Sequence, residues 1–370
     1  MTSSNSAVSR IAIVGTGVIA PVYAATLAEL GSVELAAVVD GIPERADEFA
    51  TMHNTTARSF DEVLADPAID AIVNLTPPLA HANVTAAALR AGKATFSEKP
   101  LGVDFDEARE LVALAQQHGV RLGCAPDTFL GAGLQTCRAA IDRGDIGTPI
   151  GANAFMLGFG PEWWHPNPDL FYRRGAGPLL DMGPYYLTAL IQMLGPASAI
   201  NASAQTPRSQ RPIWSKPRRG EMLDVEVPTH VTSLIDFECG ATATLVTSFD
   251  VAASRYRNIE IYGTEATLSL PDPNTFGGPV QIRGIRDKEW REVALAPTHI
   301  PQQRGIGLAD MMSAQRNQRP HRANADLALH VVEIMTNAMV ASDTGTRVSL
   351  TTTCERSQPL DTAAQTNPFE

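Results

Sequence analysis

The sequence predicts an α/β fold in two parts. A doubly wound parallel sheet occupies the first 126 residues, and an α/β domain with a large, mostly antiparallel open sheet follows it. Three observations predict this. Short β-branched apolar runs alternate with helical stretches as far as Cys124, the pattern of parallel strands joined by crossover helices. After Pro126 the runs lengthen and alternate, as along Thr229, Val231, Ser233, Ile235 and Phe237, the period of an antiparallel sheet. The length, 370 residues, is material for about two domains.

The elements follow in order. Residues 11–14 are a short apolar run and form a buried strand. Gly15 to Ala20 opens a helix to about Leu30, with Gly31 as its C-cap. Residues 35–39 form a second strand ending in Asp40, and Pro43 starts a helix over 44–53. A third strand, 69–75, is broken by Thr76-Pro77-Pro78, and an Ala-rich helix covers 79–91. Residues 94–97 are a strand. Asp104 and Glu107 resemble a capping box and start a helix whose buried face is Ala108, Leu111, Val112 and Ala115, ending at Gly119. A strand over 120–124 closes the first part. Beyond it come a helix over 133–142 and strands over 150–159, 225–237, 241–250, 256–262, 266–270 and 280–284. Helices over 179–194, 307–317 and 325–342 accompany them. The basic, proline-rich stretch 206–220 reads as an exposed loop, and the polar tail from Ser357 as frayed. The division is thus 1–126, 127–356 and a tail 357–370.

Composition excludes some functions. With 29 basic and 40 acidic side chains the net charge is −11. Nucleic acid and anionic membranes need a basic field, so neither is an expected partner. The four cysteines are far apart, with no CxxC and no Cys/His cluster. They read as reduced thiols of a cytoplasmic protein without a metal site. The uncharged run 11–28 after Arg10, taken alone, has the look of an export signal or membrane span. Gly15, Gly17, Pro21 and Tyr23 count against that, as does a mean hydropathy of −0.06 for the chain. Strand, glycine turn and helix account for the same residues.

That turn has a chemical reading. Gly15 permits a tight turn, and Gly17 lets the backbone approach a pyrophosphate lying on the helix N-terminus, with Val18 and Ile19 completing the cradle. Ala20 takes the third glycine position of a Rossmann fingerprint. Asp40 follows Gly15 by 25 residues, where a carboxylate accepts both ribose hydroxyls of NAD and repels the 2′-phosphate of NADP. NAD is therefore the preferred cofactor. The competing reading of Asp40 is a cap on the helix at Pro43.

GTGVIA at 15–20, Asp40, LTPPLAH at 75–81, AGKATFSEKPL at 91–101 and GPLLDMGPYY at 177–186 stand in this order. Together they resemble the glucose–fructose oxidoreductase, inositol dehydrogenase and MocA family over about residues 10 to 350. The resemblance implies a Rossmann domain followed by an open-sheet α/β domain. It also implies hydride transfer between a nicotinamide and a carbohydrate, cyclitol or related alcohol. It makes Lys99 the catalytic lysine and places Glu98 beside the cofactor. It puts Thr76, Pro77 and His81 along the cofactor and allows a cis Lys99–Pro100 bond. Asp181 and Tyr185 match the acid and the acid/base of the family's second motif. Most members carry histidine at the last position, and the tyrosine here resembles the glucose–fructose oxidoreductases and dimeric dihydrodiol dehydrogenases.

Tyrosine is a poor base at neutral pH, with an ordinary pKa of about 10. An ammonium beside it favours the phenolate, so Lys99 is expected to lower that value. Asp181 and Tyr185, four residues apart, share a helix face. Trp164, His165 and Asp169, with Tyr172 and Asp127, are the candidate substrate contacts, because aromatic faces stack on sugar C–H surfaces. NADP-dependent or cofactor-retaining versions of the reaction, and a non-catalytic nucleotide sensor, are the competing readings. The open sheet has a face to cover, which predicts a homodimer or homotetramer.

Overall fold

The computed structural model describes residues 8–256, 258–296 and 303–360. The first sheet is built from β1 (Ser9–Val14), α1 (Ala20–Glu29), β2 (Val33–Val39), α2 (Pro43–Met52), α3 (Phe60–Ala65), β3 (Ala71–Asn74), α4 (Pro78–Arg90), β4 (Ala94–Ser97), α5 (Phe105–His118) and β5 (Leu122–Cys124). Its order is β2-β1-β3-β4-β5, and every pair is parallel. Strands buried on both faces need apolar residues at every position, and Ile11, Ala12, Ile13, Ile72, Val73 and Phe96 are wholly buried. The order reverses at β1, so a crevice opens at the carboxyl ends of β1 and β3.

One helix end differs from expectation. α1 closes on Leu30 in an extended conformation, not on a left-handed Gly31, because β2 begins three residues later. Gly119, by contrast, does cap α5 at φ 62°. α3 has a reciprocal capping box, the Ser59 side chain accepting from the Glu62 N–H and Glu62 from the Ser59 N–H.

The second part comprises α6 (Ala132–Asp142), β6 (Pro149–Leu157), α7 (Gly177–Leu194), β7 (Ala197–Gln205), β8 (Gln210–Pro212), β9 (Met222–Asp224), β10 (His230–Phe237), β11 (Thr242–Ser248), β12 (Ile259–Gly263), β13 (Ala266–Leu270), β14 (Gln281–Gly284), β15 (Arg291–Glu292), α8 (Ile306–Arg316), α9 (Ala325–Thr344) and β16 (Val348–Ser349). Nine strands order as β15-β14-β13-β12-β6-β11-β10-β7-β16, antiparallel except for the parallel pair β6–β11. α7 and α9 pack on one face. The other face is open, with Thr232 and Leu234 exposed on β10. The chain then returns to the first sheet. α8 and α9 lie against β5, Asn324 bridges Gly123, and Arg316 donates to Ser9 Oγ at 3.0 Å.

Two segments depart from the sequence reading. The stretch 206–220 is not simply an exposed loop. β8 pairs with β9 inside it, and Arg211 is 1 % exposed. Its guanidinium reaches Glu162 Oε1 at 2.8 Å, Asp250 Oδ1 at 2.5 Å and the carbonyls of Phe159 and Phe249 at 2.9 and 2.8 Å. A buried cation is tolerated when its N–H groups are paired this fully. The start of the tail is also packed: Ser357 bonds Gln192 and Arg322, and the Leu360 N–H donates to Gln135. Residues 361–370 lie outside the described residues. Among the described residues no helix is long and apolar enough to cross a membrane.

Candidate active site

The phosphate turn sits in the crevice between β1 and β3. Gly15 has φ +99°, and a Cβ there would lie 2.8 Å from the Leu75 carbonyl carbon and oxygen. Only glycine fits. A Cβ on Gly17 would meet nothing within 4 Å, so the backbone there is open to an approaching group. Ile19 is the N-cap of α1, the first turn of the helix holds no acidic side chain, and Val18 is 80 % exposed. A helix N-terminus with no acidic side chain in its first turn favours an anion at this place. Asp40 closes the far side. Its Oδ2 accepts from the Thr16 N–H and hydroxyl, both at 2.8 Å, and Oδ1 from the Ile42 N–H at 2.9 Å. Partial burial opposes ionisation, but these bonds hold the carboxyl below its usual range. Asp40 does not cap α2, whose N-cap is Ile42. The glycine turn, the helix N-terminus and the carboxylate together carry the chemistry that a dinucleotide needs.

Beyond the turn, Thr76 bonds Asn74 Oδ1, and Pro77 is the N-cap of α4. His81 is 1 % exposed, with Nδ1 2.8 Å from the Pro100 carbonyl and Nε2 2.7 Å from that of Thr76. It therefore joins the end of β3 to the segment after Lys99. Burial holds its pKa below the ordinary value, against the two carbonyls, which favour the charged ring.

Lys99 stands at the carboxyl end of β4, and the Lys99–Pro100 bond is cis. Its Nζ donates to Asp181 Oδ1 at 2.7 Å and to the Asp181 carbonyl. The same Nζ lies 5.2 Å from the Tyr185 ring centroid. Burial disfavours the ammonium, but the charges of Asp181, Tyr185 and Glu98 outweigh it and raise the pKa. Lys99 is thus firmly cationic. Asp181 lies within α7, whose N-cap is Ala176, so it is no helix cap. Glu98 faces inward: Oε1 accepts from Tyr23 at 2.8 Å and Oε2 from the Lys99 N–H at 3.0 Å.

Tyr185 differs from expectation in one respect. Burial raises its pKa and outweighs the lowering by Lys99 and Arg304, so the net shift is upward. The ammonium acts in the anticipated sense but does not win, because a phenolate 6 % exposed loses most of its hydration. Arg304, which no motif in the sequence marks, donates to the Tyr185 hydroxyl at 3.1 Å.

The substrate candidates divide. Asp127 does not face the cleft. It is wholly buried, and Oδ2 accepts from the Gly305 and Gly307 N–H groups at 2.7 and 3.0 Å, so it holds the start of α8. Tyr172 is also wholly buried, donates to Glu162 and packs under Arg211, which leaves nothing for a substrate. Asp169 is held by Arg218. Trp164 is 66 % exposed and meets His165 and Phe171 edge-on. Among the described residues no hydrogen bond or ring contact links Trp164 or His165 to Lys99, Asp181 or Tyr185.

Residues 9–125 match an oxidoreductase family with an NAD-binding Rossmann fold, and residues 134–269 match the Gfo/Idh/MocA C-terminal domain. The chain belongs to the Gfo/Idh/MocA oxidoreductase family. Gfo/Idh/MocA relatives include a 1,5-anhydro-D-fructose reductase of Ensifer adhaerens, 28 % identical over 64 % of this chain and 67 % of that one. Another is a trans-1,2-dihydrobenzene-1,2-diol dehydrogenase of Bos taurus, 25 % identical over 68 % and 69 %. Levoglucosan dehydrogenase with NADH and levoglucosan superposes with TM-score 0.80 at 20 % identity, over 92 % of this chain and 99 % of that one. At that identity the likeness concerns the fold. The Gfo/Idh/MocA architecture, a parallel NAD-binding sheet and a large mixed sheet, is thus present in full, and the chain is an oxidoreductase.

Proposed function

We propose that this chain is an NAD-dependent dehydrogenase that moves hydride between a sugar, cyclitol or related polyol and the nicotinamide. One observation carries the reading: Lys99 is tied to Asp181 and lies over the ring of Tyr185. NAD supplies the hydride acceptor at C4 of the nicotinamide when bound. Tyr185 takes the hydroxyl proton during oxidation and returns it during reduction. Lys99 favours the phenolate, and Asp181 fixes the lysine. Because burial keeps Tyr185 protonated, the chain is poised to donate, and in oxidation Lys99 and Arg304 oppose burial by favouring the phenolate. The names of the sugar and diol relatives support the substrate class. Free thiols fit a reducing compartment, the cytoplasm, and the open face of the large sheet is the surface on which two or four copies pair.

Purified protein incubated with NAD and a panel of sugars, cyclitols and sugar acids will reduce NAD with at least one of them, read by nicotinamide absorbance. Silence across the panel in both directions would favour the non-catalytic sensor.

The choice of NAD rests on Asp40. Asp40→Ala removes an acceptor for the ribose hydroxyls and a like charge against a 2′-phosphate. It will raise KM for NAD about tenfold, the worth of one to two hydrogen bonds. Steady-state kinetics with both cofactors will show the NADP-to-NAD preference rising by about two orders of magnitude. An unchanged preference would leave Asp40 with only the role of tying Thr16 and Ile42.

A further inference from the structure

Two cations lie on Tyr185. Lys99 comes from the end of β4. Arg304 comes from the turn ahead of α8, and its guanidinium carbon is 5.2 Å from the same ring centroid. Arg304 is 5 % exposed. Its Nη2 is held by Asn274 Oδ1 at 2.5 Å and the Asn274 carbonyl at 3.3 Å, while Nη1 donates to the Tyr185 hydroxyl at 3.1 Å. Its Nε makes no hydrogen bond among the described residues. A buried donor left unpaired costs stability, so packing alone does not account for this arrangement.

We propose that Arg304 is a positioning residue of the reaction, aiming the Tyr185 phenol at the substrate and stabilising its phenolate. This rests on the reading of Tyr185 as the proton carrier. A phenol has one O–H and two lone pairs. With Arg304 donating into one lone pair, the O–H and the second lone pair remain for the substrate. In oxidation the phenolate accepts the proton from the substrate hydroxyl as hydride leaves the carbon for the nicotinamide. In reduction the phenol returns that proton to the carbonyl oxygen as hydride arrives. Lys99 directs its donors at Asp181, so Arg304 is the cation bonded to the reacting oxygen itself. A guanidinium keeps its proton throughout and does not compete as an acid. The other charged or titratable groups around Tyr185 are Glu98 and Asp181, and Glu98, Asp127 and Tyr23 surround Arg304.

The test compares Arg304→Gln, Arg304→Lys and Tyr185→Phe. The pH profile of kcat for oxidation of the fastest panel sugar has an acid limb set by loss of the Tyr185 proton. Arg304→Gln moves that limb upward by about one pH unit, the effect of removing a nearby opposite charge. KM for NAD stays within about twofold, and Arg304→Lys returns most of the limb. Independently of turnover, the phenolate absorbance lost in Tyr185→Phe reports Tyr185 directly, and its onset moves upward in Arg304→Gln. A rate lowered equally at every pH, with neither limb nor onset shifted, reduces Arg304 to a packing residue and overturns the proposal. So does full turnover in Tyr185→Phe, which overturns the tyrosine's role as well. A shifted onset with no turnover on any sugar keeps the Arg304–Tyr185 link and rejects only the function. Should Arg304→Gln fail to fold, Asn274→Ala frees the guanidinium without removing its charge. A smaller upward shift then supports the proposal, and none overturns it.

Discussion

Lys99→Ala lowers turnover by about 10²–10³-fold, the range for removing one preorganised electrostatic donor from a reacting site. Two things are lost at once. The charge 5.2 Å from the Tyr185 ring centroid goes, so the phenolate becomes harder to form. The partner of Asp181 goes too, and its Oδ1 loses a 2.7 Å bond. The Asp181 side chain is 23 % exposed, so water softens the second loss. A stability decrease of roughly 1–3 kcal/mol is expected from the unpaired, partly buried carboxylate. In the proposed function NAD is held at Gly15, Gly17 and Asp40, beyond the ends of β1 and β2, so its affinity is expected to stay near the parent value. Measuring kcat, thermal unfolding and NAD affinity together separates the charge effect from misfolding. Full activity in a folded Lys99→Ala protein removes the lysine from the mechanism.

The parallel sheet was the most legible part of this chain. Runs such as Ile11 to Val14 are apolar at every position because both faces are covered, and the strand over 94–97 agrees residue for residue. β7 was not legible. Its sequence is Ala197-Ser-Ala-Ile-Asn-Ala-Ser-Ala-Gln205, residues of weak strand preference, and its place next to β10 comes from packing under α9. At the site, the residues that announce themselves do so through local spacing: glycines in a turn, lysine before proline, an acid and a tyrosine on one helix. Those that do not are joined over long separations. Arg304 lies 119 positions from Tyr185, and Tyr23 lies 75 from Glu98. Neither has a local pattern that marks it. Asp127 and Tyr172 misled for the same reason, since a carboxylate or phenol near a presumed cleft looks alike whether it faces the opening or a buried N–H or carboxylate.

Tyr185→Phe isolates the proton from everything else the tyrosine does. The ring stays, so the contacts of Lys99 and Arg304 with its face persist, both at 5.2 Å in the parent protein. Only the hydroxyl leaves, and with it one 3.1 Å bond from Arg304. Nη1 of the buried Arg304 then has no partner among the described residues, so a stability loss of roughly 1–3 kcal/mol accompanies the change and thermal unfolding is measured beside turnover. NAD affinity is unchanged, because the phenol lies outside the glycine turn. Turnover falls about 10²–10⁴-fold, the usual contribution of one positioned acid–base group. The pH dependence carries the sharper signature. Burial raises the Tyr185 pKa over the opposing pull of the two cations, so the phenolate is scarce at neutral pH in the free chain. Oxidation by the parent protein therefore climbs as pH rises toward that pKa, and reduction, which uses the phenol, falls only above it. In Tyr185→Phe both dependences flatten, leaving the residual rate at which hydride transfer proceeds with water carrying the proton. Near-parent turnover in the variant would mean that another group handles the proton and that the two cations face Tyr185 for packing alone.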